Sequence, residues 1–493
     1  MTEATVARPA ALPSGLGFLV RVVSVPMLGF VAFGVGLAIG IPSDRVDLFG
    51  LMIVTATLIL TVVAVDRSRP RERRNLLLTI FSFSYFCFFV VPVLAFYLGD
   101  EGYTIERSPS PIRLTPIDVT RGMFAALVGY ALLLAGYVVP IGAWISRVAP
   151  RMKREWSAEA AIGVALISIP LGWAVILGHQ FGLIPARAGS GVLGAVGMGA
   201  SFGIGLLALA FQRYRSKAAL LLLILVSPPT MMFNFFTASK MLFLMPLVMI
   251  AIVHVIVTRQ LRLWWIVGFV LVMAAFYPIA KEYREYMYAS GRSAVQVIAS
   301  PQGAFHVIQG VLDGYRPIDY MKLGLEATAS RLQGLDILST ILRDAGTRVP
   351  FQGGWSLAYI PIAYVPRLFW PGKPALIIGG WVTENFCYPG IESSTGSTWM
   401  GELYFNFGWL GIVVGMILLG IWFRVLQESF LGTDATIPSM LAGVVTIWML
   451  ATGVGGDLLG PTNTVIFNVA PIFLMHLLVR TMTPPPARMP PPL

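Results

Sequence analysis

The sequence predicts an all-α protein that crosses a membrane about a dozen times. Three observations predict this. Of 493 residues, 56% are hydrophobic and 12% charged, with a mean hydropathy of +0.77; a soluble domain carries roughly 25% charged residues. The apolar residues fall in near-continuous runs, and a helix needs about 20 of them to span the hydrocarbon. The runs lack the alternation of a transmembrane β-barrel, the other spanning architecture that satisfies its own backbone in lipid.

Twelve spans are expected, at 23–41, 48–65, 76–98, 119–143, 159–179, 191–211, 218–236, 241–257, 263–280, 407–425, 436–454 and 464–480. Pro228 and Pro229 interrupt the seventh, and only a short stretch with Asn234 and Lys240 divides it from the eighth. The N-terminus has no small-residue cleavage site after a short apolar core, so the first run is expected to stay as a span.

Orientation follows from basic residues in short loops, which stay in the cytoplasm. Arg67, Arg69, Arg71, Arg73 and Arg74 follow span two; Arg147, Arg151, Lys153 and Arg154 follow span four. Arg213, Arg215 and Lys217 follow span six, and Arg259 and Arg262 follow span eight. With all four clusters inside, the N-terminus and the Pro-rich tail (481–493) are cytoplasmic as well. The expected organisation is spans one to nine (1–280), one long extracytoplasmic helical loop (281–406), spans ten to twelve (407–480), and the tail.

The long loop holds ten basic and ten acidic residues, so the whole +11 excess lies outside it. That is the positive-inside pattern, and it argues against nucleic acid as the reason for a pI near 9.8. The long loop falls after span nine, so the spans do not divide into two similar halves of six. This weakens a transporter reading built on duplicated halves.

The loop is too rich in apolar residues for disorder. Residues 293–346 read as helical, with Leu325, Leu332, Leu335, Leu338 and Leu342 at helical spacing. Residues 355–374 (WSLAYIPIAYVPRLFWPGKP) combine aromatics, four prolines, Arg367 and Lys373, a composition suited to headgroup depth. Arg367 and Lys373 flank a Trp-Pro turn and could meet the phosphates of a diphosphate lipid, or snorkel to ordinary headgroups. Arg331 in SRLQGLD (330–336) could serve the same end, or pair locally with Asp336. Arg284, Arg292, Arg343 and Arg348 read as solvated or paired.

In GELYFNFGWLG (401–411), Glu402 and Asn406 share a helix face at the expected entry to span ten. A carboxylate there could take a proton from an attacking hydroxyl, build the site, or pair with a loop arginine. His306 is a second candidate base, or a structural histidine. Asp457, in the outer loop after span eleven, is placed to face the same cavity. His254 and His476 lie near cytoplasmic span ends, where snorkelling explains them. The two cysteines, Cys87 and Cys387, and the four histidines show no disulfide or zinc pattern. No metal and no cofactor is expected.

SRLQGLD, then Pro350 and Gly-Gly-Trp-Ser (353–356), IPIAYVPRLFWPGKP (360–374) and GELYFNFGWLG together resemble the oligosaccharide repeat-unit polymerases of bacterial surface polysaccharides, the O-antigen polymerase or Wzy type. The resemblance covers residues 330–411, and the remainder matches in hydropathy alone. It implies a metal-independent glycosyltransferase of GT-C-like architecture in the bacterial inner membrane. Such an enzyme joins repeat units carried on undecaprenyl diphosphate at the outer face. It implies Arg331, Arg367 and Lys373 as donor-phosphate residues, and Glu402 and Asn406 as residues shaping the site. Glu402 and Arg331 are the catalytic candidates; Arg367, Lys373, Asn406 and Asp336 are the substrate-binding candidates. Where many relatives have an Arg-rich stretch this chain has TASK (237–240), so Lys240 can supply a charge but no bidentate fork.

The expected partners are a lipid-linked donor and acceptor, membrane lipids, and a chain-length regulator and flippase; nucleic acid is not among them. An O-antigen ligase-like transferase is the nearest rival. A transporter or flippase, or a non-catalytic scaffold, is the rival from another class.

Overall fold

Helices are the regular elements of the computed structural model, which describes residues 43–93, 114–149, 151–184, 192–237, 240–291, 296–297, 300, 302–329, 332, 334–365, 370, 372–373, 378–390 and 394–482. In chain order they are α1 Ser43–Ser68, α2 Leu76–Tyr85 (prolonged by a π-helical turn at Phe86–Val90), α3 Pro116–Val138, α4 Pro140–Val148, α5 Ala158–Gln180 and α6 Val192–Gly197. Then come α7 Gly199–Tyr214, α8 Lys217–Phe236, α9 Lys240–Thr258, α10 Leu263–Ser290, α11 Gln302–Asp313 and α12 Pro317–Ala329. The last six are α13 Gly334–Asp344, α14 Trp355–Ala363, α15 Ile378–Val382, α16 Trp399–Phe430, α17 Ile437–Thr452 and α18 Leu459–Met482.

Among the described residues nine helices are long and apolar enough to cross a membrane, and Leu242–Thr258 is a shorter apolar helix. The protein is therefore an all-α polytopic membrane protein. Helices occupy the segments read as spans two to twelve; the first, 23–41, lies outside the described residues. Two details differ from the sequence pattern. The helix of span nine, α10, continues past 280 to Ser290 through the charged Lys281–Glu285 stretch. Span six is broken, with Met198 separating α6 from α7.

The basic loops gather at one end of the bundle. Arg67 donates to the Leu261 carbonyl (3.0 Å) and Arg74 to that of Arg259 (2.9 Å). Arg259 in turn caps the end of α16 through the Leu431 and Gly432 carbonyls. Arg213 pairs with Glu155 at 3.3 Å, and Glu155 also accepts from the Ile437 amide. Trp156 donates to Nδ1 of His476 at 3.2 Å. His476 is buried, so the snorkelling expected of it is wrong: an indole partner holds it inside.

α17 lies at the centre, with every residue from Ile437 to Leu450 buried. A helix apolar on all sides belongs inside a bundle. Around it, α3 and the second half of α16 pack closely because glycines let the backbones approach. Gly129 meets Met400 and Met416, Gly136 meets the Ile417 backbone, and Gly420 meets the Leu133 carbonyl.

α16 is not one straight helix. Gly408 has φ 61°, ψ −149°, a conformation essentially reserved for glycine, and the chain reverses there. Leu403 packs on Gly415, and Met400 and Met416 both touch Gly129. In a straight helix Leu403 and Gly415 would stand about 18 Å apart. Residues 399–407 therefore form a short helix whose N-terminus is deep in the bundle, and 409–430 form the span.

α13 is inserted in the same sense. Its Ser339 fills the space beside Gly122 of α3, its Gly334 rests on Phe88, and its Arg343 lies within electrostatic reach of Asp118. That register makes α13 antiparallel to α3, with its N-terminus lowermost. The long loop is thus no solvated excursion, because two of its helices descend between the spans.

Candidate functional site

The site is built where these two re-entrant helices meet. Ile341 of α13 touches Gly401 at the start of α16. Phe88, in the π turn after α2, packs on Gly334 on one side and Gly455 on the other. π turns of this kind often mark functional positions. Beneath the pair, Ser82 bonds the Tyr130 hydroxyl at 2.7 Å, and the Tyr85 hydroxyl donates to the Ala126 carbonyl at 2.6 Å. Tyr85 also meets the Met400 sulfur at 3.1 Å, fixing the floor.

Glu402 and Asn406 are fully buried and lie below the fold-back at Gly408. They share one face of the short helix 399–407, ahead of the reversal that starts the span. Both oxygens of the Glu402 carboxylate are engaged: the Ser356 hydroxyl donates to Oε1 at 2.7 Å and the Leu458 amide to Oε2 at 2.6 Å. Asn406 donates to Ser356 Oγ (2.7 Å) and to the Glu402 carbonyl (2.8 Å), and accepts from the Gly354 amide (3.0 Å). The Gln352 and Gly353 amides bond the Phe405 and Asn406 carbonyls. Gly353 and Gly354 hold φ of 60° and 90°, letting the chain turn tightly into α14. One buried network thus clamps α14, the re-entrant half of α16 and the loop before α18.

Asp336 differs in its partners. It sits one turn from the buried N-terminus of α13, enclosed by protein, yet keeps accessible surface. Among the described residues its carboxylate has no hydrogen-bond partner, and burial pushes its pKa up to about 6. Asp457 is a second enclosed carboxylate, raised by burial although the Gly460 amide donates to it at 2.6 Å. Its charge is felt at Glu402.

The expected cations divide. Arg331 and Arg367 lie outside the described residues, as does the side chain of Lys240. Lys373 donates to the Ala363 and Val365 carbonyls at 2.8 and 3.1 Å, so it caps the end of α14 instead of projecting as an isolated charge. Arg343 and Arg348 both bind Asp344, at 2.8 and 2.9 Å. Burial alone would raise the Asp344 pKa, but the hydrogen bonds from these two guanidinium groups bring it below its ordinary value. His306 lies exposed on α11. Among the described residues no three His, Cys, Asp or Glu side chains converge to hold a metal ion.

Sequence reasoning missed Ser356, the Leu458 amide and Phe88 as parts of this site. Ser356 is 46 residues from Glu402 and carries no signal of that pairing. Thr398, at φ 57°, starts the re-entrant helix and bonds the Gly401 amide with its hydroxyl; no threonine announces such a conformation in sequence. The arrangement can present, at the end of the bundle opposite the basic loops, an enclosed carboxylate that has no hydrogen-bond partner among the described residues, beside a buried polar clamp. Comparisons of the chain with family models, curated proteins and solved structures find no match.

Proposed function

We propose that the protein is a membrane glycosyltransferase that polymerises lipid-linked oligosaccharide repeat units at the outer face of a bacterial inner membrane. The twelve-span, GT-C-like layout, with both termini cytoplasmic, belongs to this proposal. The observation that carries it is the enclosed Asp336 carboxylate, partly exposed and without a hydrogen-bond partner among the described residues, at the end opposite the basic loops. By the positive-inside rule that end faces outward, where a nucleotide sugar is absent and the donor is carried on a lipid.

In this reading the acceptor hydroxyl attacks the anomeric carbon of the donor. The new glycosidic C–O bond forms, the bond to the lipid diphosphate breaks, and the hydroxyl proton passes to Asp336. A carboxyl with a pKa near 6 is ionised at neutral pH, yet basic enough to accept that proton. Arg331, five residues before Asp336, and Arg367 supply the charge that stabilises the departing diphosphate. Glu402 is a positioning residue, and Lys373 acts by fixing the end of α14.

A second reading, a transporter of lipid-linked oligosaccharide, is favoured by the two broken helices with N-termini inside the bundle, a pattern shared with carriers. Deletion followed by a gel of surface polysaccharide separates the readings. The polymerase predicts single repeat units on the surface. A transporter defect traps repeats inside, and a ligase defect leaves lipid-linked polymer.

A further inference from the structure

A second charged position lies on the outer surface of the bundle. Arg121 is on α3, one and a half turns from the Thr115 cap. It shares the exposed face of that helix with Ile117 and Phe124. Among the described residues it has no ion-pair or hydrogen-bond partner, although Asp118 lies one turn away. Asp118 is turned to the cap instead, accepting from the Thr115 amide and hydroxyl at 2.9 and 2.7 Å.

Phe124, one turn along the same face, begins a chain of aromatic rings. The Phe124 ring meets the Trp409 ring edge-on at 5.9 Å, Trp409 meets Tyr404 at 5.8 Å, and Tyr404 meets Phe351 at 5.9 Å. The Arg121 charge is felt at the Tyr404 hydroxyl. Phe124, Phe351, Phe407 and Trp409 are all exposed, and they flank the fold-back at Gly408. An unpaired guanidinium in hydrocarbon is costly unless an anion meets it. Aromatic rings around it suit the depth where acyl chains give way to headgroups.

We propose that Arg121 binds the phosphate of a bilayer lipid whose acyl chains lie against the exposed Phe124 and Trp409 rings. The occupant is a lipid and not free phosphate. The patch continues the lipid-facing side of α3 (Ile117, Phe124) and of the α16 span (Leu410, Val413, Val414), so its ligand must share that apolar surface. Arg fits the task because its planar fork can bond two phosphate oxygens at once. This inference stands apart from the glycosyltransferase reading and would survive its failure.

The test is native mass spectrometry of the detergent-purified full chain titrated with phosphatidylglycerol, a phosphate-free galactolipid, or inorganic phosphate. The wild type is expected to retain one phosphatidylglycerol at least tenfold more tightly than Arg121→Gln. Arg121→Lys should fall between them, and Arg69→Gln, at the opposite end, should match the wild type. Size-exclusion profiles report folding, and an Arg121→Gln that elutes abnormally is replaced by Trp409→Ala, which should also weaken retention. Equal phosphatidylglycerol retention in the wild type and a folded Arg121→Gln overturns the site. So does equal retention of the galactolipid by the wild type. Displacement of the lipid by millimolar inorganic phosphate overturns the lipid assignment.

Discussion

Asp336 and Glu402 are both carboxylates in the re-entrant region, and they differ in their hydrogen-bond partners. Glu402 accepts from Ser356 and Leu458, so both oxygens are engaged; Asp336 has neither partner. The account predicts that Glu402→Gln retains substantial activity, because the amide oxygen can still accept one of the two bonds. Glu402→Ala strands a buried hydroxyl and amide, at about 1–3 kcal/mol each. Thermal unfolding in detergent should register that loss. If Glu402 were the base, the glutamine variant would be as inactive as the alanine one.

For Asp336 the sign of the pH effect follows from burial. Its folded pKa is raised to about 6, so the ionised form is disfavoured in the fold and costs stability as pH rises above the ordinary carboxylate range. On the proposed mechanism the base is that ionised form, so transfer should increase as pH rises through about 6. Asp336→Asn should abolish transfer and remove the pH step, yet raise the thermal midpoint at neutral pH. A variant that stays active, or one that is less stable, contradicts the assignment. Asp344 runs the other way: its folded pKa is lowered, so the stability it gains from Arg343 and Arg348 is lost as pH falls. The i, i+4 relation of Glu402 and Asn406 was legible in the sequence and is seen in the bond from Asn406 to the Glu402 carbonyl. Their shared partner, Ser356, was not legible, because a contact across 46 residues depends on how the helices dock.

At the scale of elements, the spans were legible because run length and apolarity decide whether a helix crosses. The reversal inside GELYFNFGWLG was not, since apolar residues continue through it and one glycine makes the turn. Gly408→Ala places a Cβ on a conformation that ordinary residues avoid, at a cost on the order of 1–3 kcal/mol. It should loosen the fold-back and, with it, the Glu402 clamp. Limited proteolysis near residue 408 should accelerate in that variant, and unchanged cleavage would count against the reversal. The leucine spacing of α13 was readable as a helix, but its depth was not. Depth depends on Gly122 making room for Ser339. Gly122→Leu should push α13 outward and abolish polymer while the protein still accumulates. Normal polymer in that variant would show that the inserted position of α13 is dispensable.

At the scale of the molecule, the arginines of four loops meet at one end, where several bind backbone carbonyls of neighbouring loops. The re-entrant helices and the carboxylates open at the other. The sequence foreshadowed this polarity through its charge distribution, since the long loop is neutral and the whole excess lies elsewhere. The functional proposal depends on which end faces the cell interior. The most direct test is cysteine accessibility in a chain with Cys87 and Cys387 replaced by serine. Thr347→Cys, exposed just beyond α13, and Arg73→Cys, exposed among the basic loops, report the two ends. In cells whose outer membrane has been made permeable, a maleimide that cannot cross the inner membrane should label position 347 and leave position 73 unlabelled until the cells are lysed. Labelling of 73 with protection of 347 would place Asp336 on the cytoplasmic side and contradict the account.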